Sequence, residues 1–380
     1  MKKVLISGAG IAGSTLAFWL NHYGFGTTII EQSPAPRLGG QAVDIRGVAL
    51  TVVAHMGLSR QIMRKRTRMR GMSILDRDGD EIGRSTEATY TSGRIDSGDV
   101  ELLREDLVQL LYERTNGATR YMFDDSIATI DERADGIQVT FEHAPPSTYD
   151  LVIGADGLHS RVRALTFGNE EQFSVPLGMQ TAIFSSPNFL AIDDWQIWLR
   201  GGDAGYGIYP VRDNRELRIT LGYPTNGGDF DGHDVVRQKH RAAAQLAHLR
   251  WKTPEVIDAM WAAEDFYTDA MAQIHMPYWS KGRAALLGDA AHCASPLSGQ
   301  GTSLALVGAY VMAGELARSR DDHRAAFDRY EERMRPFVLR NQALATERPL
   351  QPALTDSIDV AKNAISLDDF DSLISSYRHF

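Results

Sequence analysis

Residues 1–31 constrain the fold more than any other stretch. Val4-Leu5-Ile6 is a short apolar run that leads directly into Gly8-Ala9-Gly10-Ile11-Ala12-Gly13. Leu16, Ala17 and Leu20 then recur at helical spacing, and the β-branched run Thr27-Thr28-Ile29-Ile30 closes on Glu31. The spacing predicts strand, turn, helix and strand. A G-x-G-x-x-G turn in that setting, with an acid eighteen residues after the last glycine, is the dinucleotide-binding fingerprint. Gly8 permits the tight turn, Gly10 lets backbone approach a pyrophosphate, and Gly13 lets helix and strand pack closely; Ala12 lies in the same turn. The amide-rich helix end then faces the phosphates. Glu31 would accept hydrogen bonds from ribose hydroxyls and repel a phosphate there, so the ligand should carry free hydroxyls, as FAD and NAD do.

A chain of 380 residues exceeds one ordinary core, which implies two packed lobes. The net charge of -9 is unsegregated, because basic residues 60–66 are balanced by acidic stretches elsewhere. That argues against a nucleic-acid partner. The single cysteine, Cys293, excludes an internal disulfide framework, suits a reducing compartment and has no metal-ligand spacing. Lys2-Lys3 before an apolar run imitates a secretory start, but the turn glycines and Glu31 give those residues a folded role. No stretch reaches the length of a membrane span. A cytoplasmic protein without membrane contact, monomeric or homodimeric, is expected.

After Glu31, residues 32–40 are rich in proline and glycine and read as loop, followed by a helix over 48–56. Arg37 and Arg46 lie where a long cofactor would pass and read equally as solvated loop arginines. Met72 to Leu75 and Glu81 to Gly83 predict a hairpin around Asp78-Gly79. Val100 to Leu111 carries leucines on one face and predicts an amphipathic helix with Arg104 at its edge. Strands are expected at 126–131, 136–141 and 150–153, the last running into Asp156-Gly157-Leu158-His159-Ser160. From 177 to 224, short strands at 181–184, 195–199, 205–211 and 217–223 predict an inserted antiparallel sheet. Helical periodicity returns over 233–249 and 254–262, and 284–287 reads as a buried strand ending in Gly288-Asp289. The loop Pro296 to Ser303 opens a helix over 304–317. Residues 322–345 continue as helix interrupted at Pro336, and 351–377 read as a final long helix or two.

Three motifs stand in one order. They are Gly8-x-Gly10-x-x-Gly13 with Glu31, then Asp156-Gly157-x-x-Ser160-x-x-Arg163, then Gly288-Asp289-Ala290-Ala291-His292 with Pro296 and Gly299-Gln300-Gly301. Together they resemble the single-component FAD-dependent aromatic hydroxylases, built on the p-hydroxybenzoate hydroxylase fold, over nearly the whole chain. The resemblance implies an α/β (α+β) fold, in which a Rossmann-like FAD-binding domain carries an inserted antiparallel-sheet substrate domain and a long C-terminal helix. It divides the chain into 1–72, 97–175 and 275–340 for the FAD-binding domain, 73–96 and 176–274 for the substrate domain, and 341–380 for a helix bridging the two.

Carried over residue by residue, the resemblance assigns the adenosine half of FAD to the first turn and Glu31. Arg104 matches the family arginine beside the cofactor. Asp289 would contact the ribityl and pyrophosphate region, while Pro296, Gly299, Gln300, Gly301 and Thr302 would lie against the isoalloxazine. Asp156-Gly157 would serve both FAD and the NADPH or NADH that reduces it, since the chain has no second strand-turn-helix fingerprint. The family often has Asn and Asp where Ser303 and Gly308 stand. Ser303 could still donate to the flavin edge; Gly308 cannot. Length and architecture also resemble the tetracycline-inactivating monooxygenases.

Such enzymes act through a flavin C4a-hydroperoxide on an aromatic or polyketide substrate, so the protein needs no catalytic side chain of its own. The lack of a metal cluster, triad or nucleophile elbow fits. Substrate candidates are Gln180, Trp198, Arg200, Tyr209 and Pro296, although aromatics on a sheet are usually core. His292 and Cys293 read as structural buried residues. A flavin dehydrogenase or reductase on the same fold, and a non-catalytic flavin- or ligand-binding protein, remain open alternatives.

Overall fold

The computed structural model describes residues 1–37, 39–225, 234–319, 321–348, 353–370 and 373. Its first layer is a six-stranded sheet in the order Ser280–Lys281, Ala284–Leu286, Leu151–Gly154, Lys3–Ser7, Gly26–Glu31, Thr119–Phe123. All neighbours are parallel except the edge pair formed by Ser280–Lys281. Val4, Leu5 and Ile6 are wholly buried, as are Val152, Ile153, Ala285 and Leu286. Burial on both faces explains why these strands read as continuous apolar runs rather than alternating ones. Helices Ile11–His22 and Gly301–Arg318 pack together on this sheet, with Trp19 and Tyr310 edge to face at 4.8 Å.

The second layer is a seven-stranded sheet in the order Tyr267–Ile274, Ser174–Pro187, Glu216–Pro224, Ala204–Val211, Gln196–Gly201, Met72–Leu75, Glu81–Ser85. The expected hairpin at 72–85 thus joins the inserted strands. One pair departs from the antiparallel expectation: Gln196–Gly201 runs parallel to Met72–Leu75. The two strands are far apart in sequence, so no tight turn sets their direction. Helices Val235–Leu246 and Thr253–Ala262 cover one face, burying Ala242, Leu246, Val256 and Met260 against Ala182 and Phe184. The expected start at His233 lies outside the described residues. The opposite face looks toward the parallel sheet.

Three local expectations change. Val100–Leu103 is not helix but a strand paired antiparallel with Ala42–Ile45, and the helix starts at Arg104. All four of its residues are buried, and cross-strand pairing overrides a leucine pattern that suits either structure. Helix His323–Ala343 passes through Pro336 unbroken. Pro336 and Glu332 are exposed, so the carbonyl the proline leaves unbonded can reach water. Beyond it, the described part of the last segment is helix Thr355–Lys362 and a single turn at Asp368–Phe370. Among the described residues no helix is long and apolar enough to cross a membrane.

Candidate functional site

The two layers enclose a cavity of about 1450 Å³. One end is the first turn. Gly8 has φ +103°, and a Cβ there would stand 2.5 Å from the Ala155 carbonyl oxygen; a Cβ on Gly13 would collide with the Gly8 carbonyl oxygen. Gly10 differs, because a Cβ there would meet nothing within 4 Å. Gly10 caps helix Ile11–His22 without a side-chain hydrogen bond, so the first helical amides point into open cavity with their donors unclaimed. Gly10 and Ala12 line the cavity, while Gly13 sits behind it. Glu31 is held in place by the amides of Ala9 (2.9 Å) and Ser33 (3.0 Å).

At the middle of the cavity the Asp156 carboxylate accepts from Ser160 Oγ (2.5 Å), Ser7 Oγ (3.1 Å) and the Val162 amide (3.1 Å). It braces the turn into helix Arg161–Thr166. Gly157, at φ +80° with nothing within 4 Å of an added Cβ, is the open surface beside it. Burial pushes the Asp156 carboxyl above its ordinary value, which the three donors oppose.

The third motif supplies a second helix start. Gln300 caps helix Gly301–Arg318 without a side-chain bond. It is wholly buried and lines the cavity, and neither amide atom has a hydrogen-bond partner. A buried amide with both ends unmet is costly, so this one fits a ligand edge carrying donors and acceptors. Asp289, Pro296, Gly299, Gly301 and Thr302 line the same wall, and burial raises the Asp289 carboxyl. Two open helix ends, the unmet Gln300 amide and the space above Gly10 fit an extended dinucleotide. Ser303 is wholly buried behind the cavity wall rather than lining it, and its hydroxyl accepts from the Arg46 amide (3.0 Å). Gly308 faces Leu287 and Met334 rather than the cavity.

Three arginines complete this half. Arg37 stacks on the Tyr267 ring at 4.3 Å. Burial, reinforced by Arg37, holds the Arg104 guanidinium below its ordinary value. Arg46 is 4% exposed and donates to Asp44 (2.9 Å) and the Thr91 carbonyl (2.7 Å).

The other half is the inner face of the large sheet. Met179, Thr181 and Ile183 point inward from Ser174–Pro187. Gln180 lies between them in sequence and therefore on the opposite face. Its amide donates to Gln238 (2.9 Å) and Thr268 (2.8 Å), so it does not join the pocket as expected. Trp198, Arg200, Tyr209 and Pro296 do line it. Tyr209 turns its hydroxyl to accept from the Ala42 amide (2.9 Å). The pattern missed Tyr90 and Thr91. Tyr90 meets the Trp198 ring at 5.3 Å and carries Arg200 at 4.9 Å, and Thr91 accepts from Gln196 (2.5 Å). An isolated tyrosine in a short loop gives no period from which that contact could be read.

His292 and Cys293 are buried, and burial drives His292 down to about 3 and the thiol well up. His292 packs on Trp279 and Tyr330 away from the cavity. Among the described residues no cluster of three metal-ligating side chains occurs.

A family model described as an FAD binding domain matches residues 1–345. An uncharacterized protein of Mycobacterium tuberculosis is 48% identical over 347 residues, covering 91% of this chain and 93% of that protein. A flavin-dependent monooxygenase of an unknown prokaryotic organism is 37% identical over 343 residues, covering 90% and 87%. The crystal structure of tetracycline destructase Tet(51) superimposes with a TM-score of 0.87 at 31% identity, covering 97% of this chain and 98% of that one.

Proposed function

The chain belongs to the FAD-binding family of flavin-dependent monooxygenases, and from that premise we propose that it uses NAD(P)H and O2 to hydroxylate an aromatic or polyketide-type small molecule. The carrying observation is that one cavity runs from the first glycine turn past Asp156-Gly157 and the Gln300 loop to the wall formed by Tyr90, Trp198 and Arg200. A single small ligand occupies about 300–1,000 Å³; this cavity is larger, with room for a dinucleotide and a second molecule.

In this reading Gly8, Gly10 and Ala12 hold the pyrophosphate side, Gly13 behind them lets the helix pack close to the strand, and Glu31 holds the adenosine ribose. Arg37, Arg46 and Arg104 supply positive charge along the cofactor, and Asp289 with residues 296–302 seats the ring system. Bound FAD supplies the redox chemistry, taking a hydride and activating dioxygen. The chain's own part is to orient the substrate and exclude water. Met179, Ile183, Leu297 and Trp198 give an apolar wall against which a flat ring system can lie, and Arg200 gives it one cation. A polyketide substrate of tetracycline type is favoured because that wall lies in a chain similar to a tetracycline destructase. NADPH or NADH would approach beside Gly157. Residues 73–96 and 176–274 serve as the substrate lobe.

The test is a screen of phenolic and tetracycline-type compounds for stimulated NADPH and NADH consumption under labelled O2, with product mass recorded. A substrate should gain one labelled oxygen atom. Nicotinamide oxidation with no labelled product from any compound would instead support a dehydrogenase or ligand-binding role.

A further inference from the structure

Asp44 and Glu101 are direct partners in the antiparallel pairing of Ala42–Ile45 with Val100–Leu103. Opposed positions put both side chains on one face, with Cβ atoms about 5 Å apart. Asp44 is 8% exposed and Glu101 4%. Among the described residues Arg46 is the one cation hydrogen-bonded to either carboxylate. The other charged groups around them are engaged elsewhere. Asp99 is held by Lys362 (2.9 Å), Arg218 is paired with Glu105 (2.9 Å), and the Tyr209 hydroxyl accepts from Ala42.

Two buried acids facing one guanidinium cannot both ionise cheaply. Burial lifts the Asp44 carboxyl to about 7 against the pull of Arg46, and it raises Glu101 as well. Asp44 lines the cavity, and its Oδ1 has no partner in the protein. The guanidinium of Arg46 also lies beside Gly299, 3.6 Å from where a Cβ would stand. On the other side, Glu101 Oε1 accepts from the Thr67 hydroxyl (2.5 Å), and Thr67 is half-buried.

We propose that Asp44 carries a proton that it delivers into the cavity, and that Glu101 and Thr67 restore that proton from the surface. The inference rests on the monooxygenase reading, whose balance requires one proton from outside the reactants. Substrate C–H, O2, NAD(P)H and one proton become substrate C–OH, NAD(P)+ and water. The nicotinamide brings the hydride, so one further proton must enter a site built to exclude water. The Asp44 O–H bond breaks as it hands over that proton, and its carboxylate stays paired with Arg46. The Glu101 carboxyl then reprotonates Asp44. Glu101 recovers a proton passed by the Thr67 hydroxyl, which takes one from solvent. Asp44 is the donor; Glu101 and Thr67 are positioning residues acting through it.

Carboxyl ¹³C NMR of the full-length protein, labelled at aspartate, tests the pair without relying on turnover. One aspartate should titrate near pH 7, be absent in Asp44→Asn, and move about one unit or more lower in Glu101→Gln. In steady-state assays across about pH 6 to 9, Asp44→Asn should lose roughly 100-fold in turnover with FAD affinity unchanged. Thr67→Val should slow turnover mainly at the high end, where solvent protons are scarce. If every aspartate titrates in the ordinary range, or Asp44→Asn follows the wild-type pH profile, the inference fails. Should Asp44→Asn not fold, the titration shift in Glu101→Gln decides it. A titration result stands even if no oxygen is inserted, and oxygen insertion without the near-neutral aspartate would sink this inference alone.

Discussion

Arg218 lies 2.9 Å from Glu105, joining a strand of the large sheet to the helix that begins at Arg104. Arg218 is 3% exposed, and its Nε also donates to the Gly40 carbonyl (3.1 Å). Glu105 in turn accepts from the Gly39 amide (2.7 Å) and from Arg212 (2.6 Å). The loop following the second strand is thereby pinned between the two layers, which fixes one edge of the cavity.

Breaking a buried pair leaves an uncompensated charge and costs about 3–5 kcal/mol, whereas a surface pair contributes up to about 1 kcal/mol. Glu105→Gln, which leaves the buried Arg218 with Glu216 as its remaining carboxylate partner among the described residues, should therefore lower stability more than Arg212→Gln, whose arginine is 36% exposed. Denaturant titration of both variants checks this, and equal losses would show that the pair does not hold the layers together.

The glycines of the first turn separate folding from binding. Gly13→Ala drives a methyl into the Gly8 carbonyl and should lower the melting temperature. Gly10→Ala meets no protein atom within 4 Å, so it should melt like the parent yet lose at least about tenfold in FAD affinity, because the methyl occupies ligand space. Flavin absorbance after reconstitution, alongside thermal melts, reads both. A Gly10→Ala variant that stays fully yellow would place the cofactor elsewhere.

Asp289→Ala should abolish flavin retention on purification, because the carboxylate lines the same cavity wall as Gln300, where the proposed reading seats the cofactor. Full FAD occupancy in that variant would remove Asp289 from the site.

His159 bridges two acids, Asp269 Oδ1 at 3.2 Å and Glu170 Oε1 at 2.9 Å. Those hydrogen bonds, that to Asp269 first, raise the imidazole from 6.5 to about 10. The folded value exceeds the unfolded one, so the contribution is fully present below pH 6.5 and is lost as pH rises to about 10. His159 is 54% exposed, and solvent screening limits the effect to about 1 kcal/mol. Subtracting the stability of His159→Gln from that of the parent across this range should give a difference that shrinks with pH; one that grows would contradict the bridge.

Much of the nucleotide half was legible because its signals are local. A strand buried on both faces must be apolar throughout, as at Val4–Ile6, and positive φ at Gly8 admits few other residues. The inserted strands were visible by alternation and turns. Legibility ended where partners are remote. Val100–Leu103 carries leucines that serve a helix or a strand equally well, and Ala42–Ile45, some sixty residues earlier, decides between them. Pro336 looks like a break until its exposed position is known.

By itself, then, the amino-acid order determined the strand-turn-helix unit, the three motifs that line one cavity, and the presence of a second sheet. Tertiary structure alone decided which way each wall faces. It turned Gln180 outward and Thr181 inward, brought Tyr90 onto Trp198, and set Asp44 opposite Glu101. The physical reason is that a strand's side chains alternate with period two, so a one-residue difference in register exchanges pocket for core. That register is set by pairing with distant strands, and it is not written in the strand's own residues.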